Sequence, residues 1–199
     1  MRRSGTSMLS ATMLARGEAL ITFSRDTWRW VFDVNVMGVH GISTFVPLIS
    51  AHGEGGHIVN TASMAGILSP SGFGPYSASK FAVVFMSEGL ATQLKPVGIG
   101  VSVLCPGYVR TRIHESGRHR PERYGPTKSS DPGSPAAALM SQIAGRVQSG
   151  LDPSEVAARV VTAIREDHLY VFTHQDENWR AKIEERFAAI LTAMDKGAH

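Results

Sequence analysis

Residues 56–80 read GHIVNTASMAGILSPSGFGPYSASK, and the fold can be worked out from this stretch. Its first part, HIVNTAS, is a short apolar run rich in β-branched residues and bounded by glycines, which predicts a buried strand. A loop containing Gly and Pro follows. Residues 76–95 then carry apolar side chains at helical intervals and stop before Pro96. The stretch therefore predicts a strand, a loop and a long helix.

The alternation of strands and helices continues on both sides of this stretch. Two further buried strands are predicted in IGVSVLCPG, residues 99–107, and in LYVFT, residues 169–173. Helices are predicted at residues 24–50 with a kink near Pro47, at 135–149, at 153–166 with Asp152 as the cap, and at 178–194. Strands joined by helices of this length form a parallel sheet covered on both faces, so the predicted class is α/β. Its ligand crevice is expected beyond the carboxyl ends of the strands.

The composition is that of an ordinary globular domain. Of the 199 residues 43% are hydrophobic and 19% are charged, which excludes a chain disordered throughout. No uninterrupted run approaches the roughly 20 apolar residues of a membrane span, so no membrane association is predicted. The net charge of +3 is weak evidence for nucleic acid, and we interpret the basic stretch 112–128 as a solvated loop. The single cysteine, Cys105, predicts a packed thiol in a cytoplasmic protein.

The first 22 residues are the least regular part of the chain. They contain three arginines and no acidic residue before Glu18, a composition that organelle transit peptides share. We favour an unassigned, disordered N-terminus at 1–22, followed by one α/β domain at 23–199. The eight histidines form no H-E-x-x-H motif, and His114 and His119 lie in the polar loop, so no metal site is predicted.

Three polar side chains are predicted to meet in the crevice. Tyr76 and Lys80 stand four residues apart on one helix, so they share a face. Ser63 follows the predicted strand directly, at its crevice end. A Lys cation beside a phenol favours the phenolate, which would draw the pKa of Tyr76 down towards neutrality. This predicts acid–base catalysis at a carbonyl or alcohol, with Tyr76 as acid or base and Ser63 bound to the substrate oxygen.

Four segments in this order resemble the short-chain dehydrogenase/reductase family: FDVNVMG, GGHIVNTASMAG, PYSASK and CPGYVRT. The resemblance implies a Rossmann-type doubly wound sheet, an NAD or NADP cofactor and hydride transfer to or from a small carbonyl or secondary alcohol. It also implies site residues. The catalytic set would be Asn35, Ser63, Tyr76 and Lys80, and the residues near the cofactor would be Tyr76, Lys80, Pro106, Gly107, Val109 and Thr111.

The chain departs from the family at its start. It contains no G-x-x-x-G-x-G or G-x-G-x-x-G turn, so it looks like a carboxyl-terminal part of the fold without the first strands and the phosphate loop. We expect impaired cofactor binding. The alternative hypothesis is a catalytically incomplete remnant that acts through protein association. The bulky apolar residues on the helices at 26–50 and 76–95, together with an open edge at the strand 57–61, predict a homo-oligomer.

Overall fold

The core of the protein is a parallel four-stranded sheet. The structure, a computed structural model, describes residues 6–9, 23–70, 72–126 and 131–197. The strands lie side by side in chain order, and every neighbouring pair is parallel. The strands are β1 Thr6–Leu9, β2 Gly56–Thr61, β3 Ile99–Cys105 and β4 Tyr170–Phe172.

Helices connect the strands and cover both faces of the sheet, as the α/β prediction requires. They are α1 Arg25–Phe32, α2 Gly38–His40, α3 Ile42–Ala51, α4 Gly74–Leu94, α5 Pro135–Gln148, α6 Pro153–Glu166 and α7 Glu177–Lys196. Alternate residues of the central strands point to opposite sides. Ile58 and Val103 pack with α3 and α4, whereas Val59 and Leu104 pack with α6. Strands buried on both faces explain the continuous apolar runs in the sequence.

Several helix ends are fixed by the residues that the sequence indicates. The carboxylate of Asp152 accepts a hydrogen bond from the backbone N–H of Ser154 at 2.9 Å, which confirms it as the cap of α6. Ser24 caps α1 and Asp176 caps α7 in the same way. The strands β2, β3 and β4 and the helices α4 to α7 therefore lie where the sequence predicts them, within a few residues.

The predicted single helix at 24–50 with a kink near Pro47 is wrong. The chain forms α1, then a π-helical turn at Asp33–Met37, and then α2 and α3, which are separated by Gly41. Pro47 lies inside α3, where it removes one backbone donor without ending the helix. The wider π turn interrupts the regular α-helical hydrogen bonding of this stretch.

A second difference concerns the N-terminal residues. Thr6–Leu9 form β1, which pairs in register with β2 from Thr6 opposite His57 to Leu9 opposite Asn60. The strand within 1–22 was not expected, and the predicted open edge at 57–61 is wrong because β1 occupies it. The remaining part of the proposed disordered segment, 1–5 and 10–22, lies outside the described residues.

The helical stretch Arg25–Ala51 is long and apolar enough to cross a membrane by length and composition alone. Its inner face nevertheless belongs to the fold, because Val31 and Asn35 are completely buried against the rest of the domain. The absence of membrane association stays a prediction.

The loop that follows β3 is more ordered than the sequence indicates. It contains short 3-10 turns at Ile113–His119 and Glu122–Tyr124. Tyr124 is buried, and its hydroxyl donates to Asp33 at 2.7 Å. The guanidinium of Arg120 lies 5.0 Å from the ring centroid of Trp30. These contacts hold this part of the predicted solvated loop against α1; residues 127–130 of the loop lie outside the described residues.

Candidate active site

Ser63 lies just beyond the carboxyl end of β2, at the crevice edge of the sheet. The backbone N–H of Met64 donates to the carbonyl of Pro106 at 2.9 Å, which ties this point to the end of β3. The Ser63 hydroxyl oxygen accepts from the N–H of Ala65 at 3.1 Å and so caps the short turn Met64–Gly66. The local fold thereby fixes the position of the Ser63 hydroxyl.

The turn that carries Ser63 rests directly on α4. A Cβ atom placed on Gly66 would lie 2.6 Å from the carbonyl carbon and oxygen of Lys80. Real Cβ atoms do not approach backbone so closely, so only glycine allows this packing. Close packing at Gly66 brings the Ser63 turn to the helix turn that holds Tyr76 and Lys80.

Tyr76 and Lys80 occupy adjacent turns at the start of α4, as the sequence predicts. The Ser63 side chain lies close enough to the Tyr76 phenol to lower its pKa. The Lys80 ammonium donates to the carbonyl oxygen of Thr61 at 2.8 Å and lies 5.9 Å from the centroid of the Tyr76 ring. The structure therefore brings the three predicted residues together, with Tyr76 between Ser63 and Lys80.

The electrostatics differ from the prediction. Burial raises the pKa of Tyr76 to about 12, and the hydrogen bond from Ser63 offsets only part of this effect. Burial also lowers the pKa of Lys80 to about 7, against a smaller opposing effect of Cys105. The expectation that Lys80 draws the pKa of Tyr76 down is not met, because desolvation of both groups is the larger influence.

The thiol of Cys105 is the packed group that the sequence predicts. It is fully buried at the end of β3, and burial raises its pKa to about 12. A thiol in this state is a poor nucleophile, so the chemistry of the site belongs to the hydroxyl groups and the lysine.

Asn35 acts on the site through α4. Its amide nitrogen donates to the hydroxyl of Ser79 at 2.9 Å, and that hydroxyl donates to the backbone carbonyl of Tyr76 at 2.7 Å. Asn35 is fully buried in the π-helical turn. The sequence does not identify Ser79 as a link, because a serine inside YSASK has no feature that marks it. The membership of Asn35 in the catalytic set remains a prediction.

Of the six residues predicted near the cofactor, the four that follow β3 separate into two groups. Pro106 and Gly107 line the same cavity as Ser63 and Tyr76. The backbone N–H of Gly107 donates to the Thr173 hydroxyl at 3.1 Å, which joins the ends of β3 and β4. Val109 instead forms a backbone bridge to Leu151, and Thr111 is exposed. Neither Val109 nor Thr111 lines the cavity.

A cavity of about 490 Å³ opens above the two hydroxyl groups, a volume typical of small-molecule sites. The apolar residues Leu68, Phe73 and Tyr108 line the cavity, whereas Ile67 is buried in the core. The helices α5 and α7 supply a further part of the wall. Their lining residues, which sequence reasoning missed, are Ile143, Arg146, Val147, Trp179, Lys182 and Glu185.

Helical periodicity identifies the amphipathic character of α5 and α7, but it does not show which cavity their faces meet. In the described ranges no three His, Cys, Asp or Glu side chains are grouped in a way that could hold a metal ion.

Comparisons with known proteins agree with this arrangement. The sequence profile described as short chain dehydrogenase matches residues 8–122. A short chain dehydrogenase/reductase from Burkholderia phymatum, solved in complex with NAD, is 38% identical with a TM-score of 0.86; the match covers 95% of this chain and 67% of that one. This similarity confirms the Rossmann-type fold.

Two relatives have named activities. C alpha-dehydrogenase from Sphingobium sp. (strain NBRC 103272 / SYK-6) is 34% identical over 170 residues, which are 85% of this chain and 54% of that protein. CLA biosynthesis dehydrogenase/reductase from Lactiplantibacillus plantarum is 30% identical over 174 residues, 83% of this chain and 58% of that protein. The chain thus spans somewhat more than half the length of these relatives. It belongs to the short-chain dehydrogenase family.

Proposed function

We propose that the site catalyses hydride transfer between NAD or NADP and a small carbonyl or secondary alcohol. The observation that carries this proposal is the pair of hydroxyl groups, Ser63 and Tyr76, that line one open cavity, with the Lys80 amine 5.9 Å from the centroid of the Tyr76 ring. The dehydrogenase names of the two relatives and the NAD complex of the Burkholderia protein support it.

The roles of the side chains follow from their protonation. With a pKa near 12, Tyr76 keeps its proton at neutral pH and can donate it to a carbonyl oxygen as that oxygen gains negative charge. Ser63 donates a hydrogen bond to the same oxygen and fixes its position. Lys80 lies one helical turn away and, with a pKa near 7, exchanges protons readily at neutral pH. In the oxidative direction Tyr76 receives the proton of the alcohol.

The residues fit one end of the cofactor. Pro106, Gly107 and the Tyr76 hydroxyl form a surface on which a nicotinamide and its ribose would lie. When bound, the cofactor supplies or accepts the hydride. The sequence has no glycine-rich turn of the kind that holds the pyrophosphate through backbone N–H groups. We therefore propose that this chain binds NAD or NADP weakly.

The proposal is tested by titrating NADH and NADPH and then following their oxidation with a panel of aryl ketones. We expect no saturation at micromolar cofactor and measurable oxidation at about 1 mM. Tyr76→Phe should lower the rate by about 10² to 10⁴-fold at unchanged cofactor affinity, since it removes the proton donor and little surface.

Saturation at micromolar cofactor would show that the phosphate groups have a site in this chain. Turnover by Tyr76→Phe at the original rate would overturn the assignment of Tyr76. No oxidation with any ketone at high cofactor would favour the association hypothesis instead. A cytoplasmic location and a homo-oligomeric state remain predictions.

A further inference from the structure

The outer part of the cavity carries a charge pattern that the hydride-transfer chemistry does not use. Three described lining residues are charged: Arg146 on α5, and Lys182 and Glu185 on α7. The remaining lining side chains are mainly apolar, and four of them are aromatic: Phe73, Tyr76, Tyr108 and Trp179. The cavity thus combines the reactive hydroxyl groups, an aromatic lining and a charged rim formed by Arg146, Lys182 and Glu185.

Arg146 is held in place on the cavity wall. Its guanidinium donates to the Tyr108 hydroxyl at 3.1 Å and lies 5.5 Å from the centroid of that ring. Tyr108 follows Gly107 directly, and its backbone carbonyl accepts from the N–H of Leu151 at 3.0 Å. A guanidinium oriented in this way keeps further N–H groups available for an anion, because it has five donors.

Lys182 reaches the cavity from α7. Its ammonium lies 5.6 Å from the ring centroid of Trp179, and Trp179 packs edge-on against His174 at 6.1 Å. Trp179 therefore orients Lys182 at the rim.

The positive charge at the rim is only partly offset by Glu185. Within the described ranges, neither Arg146 nor Lys182 has a carboxylate within ion-pair distance, although several other arginines do. Glu185 is the opposing charge, and it leaves an excess of one cation among the lining residues. An excess cation beside an apolar cavity favours a bound anion.

We propose that the substrate is an aromatic carbonyl or alcohol that carries a carboxylate at the end remote from the reacting carbon. Ser63 and Tyr76 bind the reacting oxygen, the aromatic residues cover the ring, and Arg146 with Lys182 binds the acid group. This inference rests on the proposed function for the reaction, but the selection of the acid is a binding property that is measurable by itself.

The test compares matched acids and esters. The probes are 4-acetylbenzoate, 3-(4-acetylphenyl)propanoate and the methyl ester of each, and binding is followed by quenching of tryptophan fluorescence. We expect at least one acid to bind about tenfold more tightly than its ester, the effect of one charge-assisted contact. Added salt should reduce this preference.

Variants identify the groups responsible. Arg146→Gln and Lys182→Gln should each reduce the acid preference several-fold, and Glu185→Gln should increase it. Arg146→Lys, which keeps the charge, should retain most of it. Lys196→Gln, an exposed cation at the far end of the same helix α7, serves as the matched control and should change nothing.

Equal binding of acids and esters, or an acid preference that survives Arg146→Gln and Lys182→Gln together, would overturn the proposal. Reduction of the ketones by cofactor is measured in parallel. An acid preference without turnover upholds the selection of the acid and contradicts hydride transfer, so the two proposals fail separately.

Discussion

Lys80 is the side chain whose environment departs most from its ordinary chemistry. An amine on a fully buried helix face loses most of its hydration, although the carbonyl of Thr61 accepts a hydrogen bond from it. Its pKa accordingly falls from 10.5 to about 7. The folded protein thus holds a lysine that is only partly charged at neutral pH, next to a tyrosine that stays protonated.

This shift predicts how stability depends on pH. Between about pH 7 and 10.5 the unfolded chain binds more protons at this lysine than the folded chain, so the free energy of unfolding should rise with pH. The rise between pH 7 and pH 9 should be about 2 kcal/mol for this group. Denaturant unfolding at both pH values measures it.

The control is Lys80→Met, which removes the titrating amine. The difference in slope between the two proteins isolates the lysine from histidines and other groups. Equal pH dependence in both would contradict the depressed pKa.

At the level of single residues, the sequence predicts which side chains meet in the site better than it predicts the surroundings of those side chains. The spacing of Tyr76 and Lys80 and the place of Ser63 after a strand were sufficient to bring them together, because helix and strand geometry fix these positions. The pKa directions were not predictable for Tyr76, because they depend on how much water the surrounding elements exclude. Ser79 could not be found either, since its partner Asn35 is 44 residues away in the sequence and meets it only in the folded chain.

At the level of elements, the contact between the Met64–Gly66 turn and α4 determines the geometry of the site. Gly66→Ala would place a methyl group against the Lys80 backbone, and the turn carrying Ser63 would have to move. We expect a loss of about 1 to 3 kcal/mol in the free energy of unfolding, as for other overpacked sites. Thermal or denaturant unfolding checks it.

Gly89→Ala provides the matched control. Gly89 lies in the same helix α4, and a Cβ atom there meets nothing within 4 Å. This variant should be stabilised by about 0.5 to 1 kcal/mol, because alanine is the better helix former. If both variants behaved alike, the close approach at Gly66 would not be what holds the turn.

The helix predicted at 24–50 shows which details of an element cannot be predicted from the spacing of apolar residues. Apolar spacing is insensitive to one extra residue in a turn, so a π turn at Asp33–Met37 has no signature in the pattern. β1 was missed for a related reason, because four residues within an irregular segment have too little periodicity to indicate a strand. Longer elements with clear boundaries, such as α4 and β3, were predicted well.

At the level of the whole molecule, association remains an expectation that rests on exposed apolar surface. Phe45 on α3 and Phe81 and Phe85 on α4 are exposed, as expected for the bulky apolar residues of the helices at 26–50 and 76–95, and Leu48 on α3 is exposed as well. Trp28, Phe32 and Met86 are more buried. Since β1 covers the edge of β2, the expectation now depends on helix surfaces alone.

We predict that the chain sediments as a dimer or larger species at about 10 µM. The side chain of Phe85 is 65% exposed, so Phe85→Glu should shift the chain towards monomer. Val161→Glu is the control, since Val161 is an exposed apolar residue on α6 at the other face of the sheet. A monomeric native chain, or equal effects of both substitutions, would contradict association through α4.

The order of the strands has a consequence for how the protein is made. Each strand pairs with the one synthesised before it, so the sheet grows in one direction as the nascent chain emerges. Ser63, Tyr76, Lys80 and Gly107 have all been translated before α5 and α7 exist. The side chains that handle the proton are therefore all present before the later helices are made. Tyr76 reaches its buried state only when Ile143 and Val147 of α5 pack against it, so the last helices to be made complete the environment that sets its acidity.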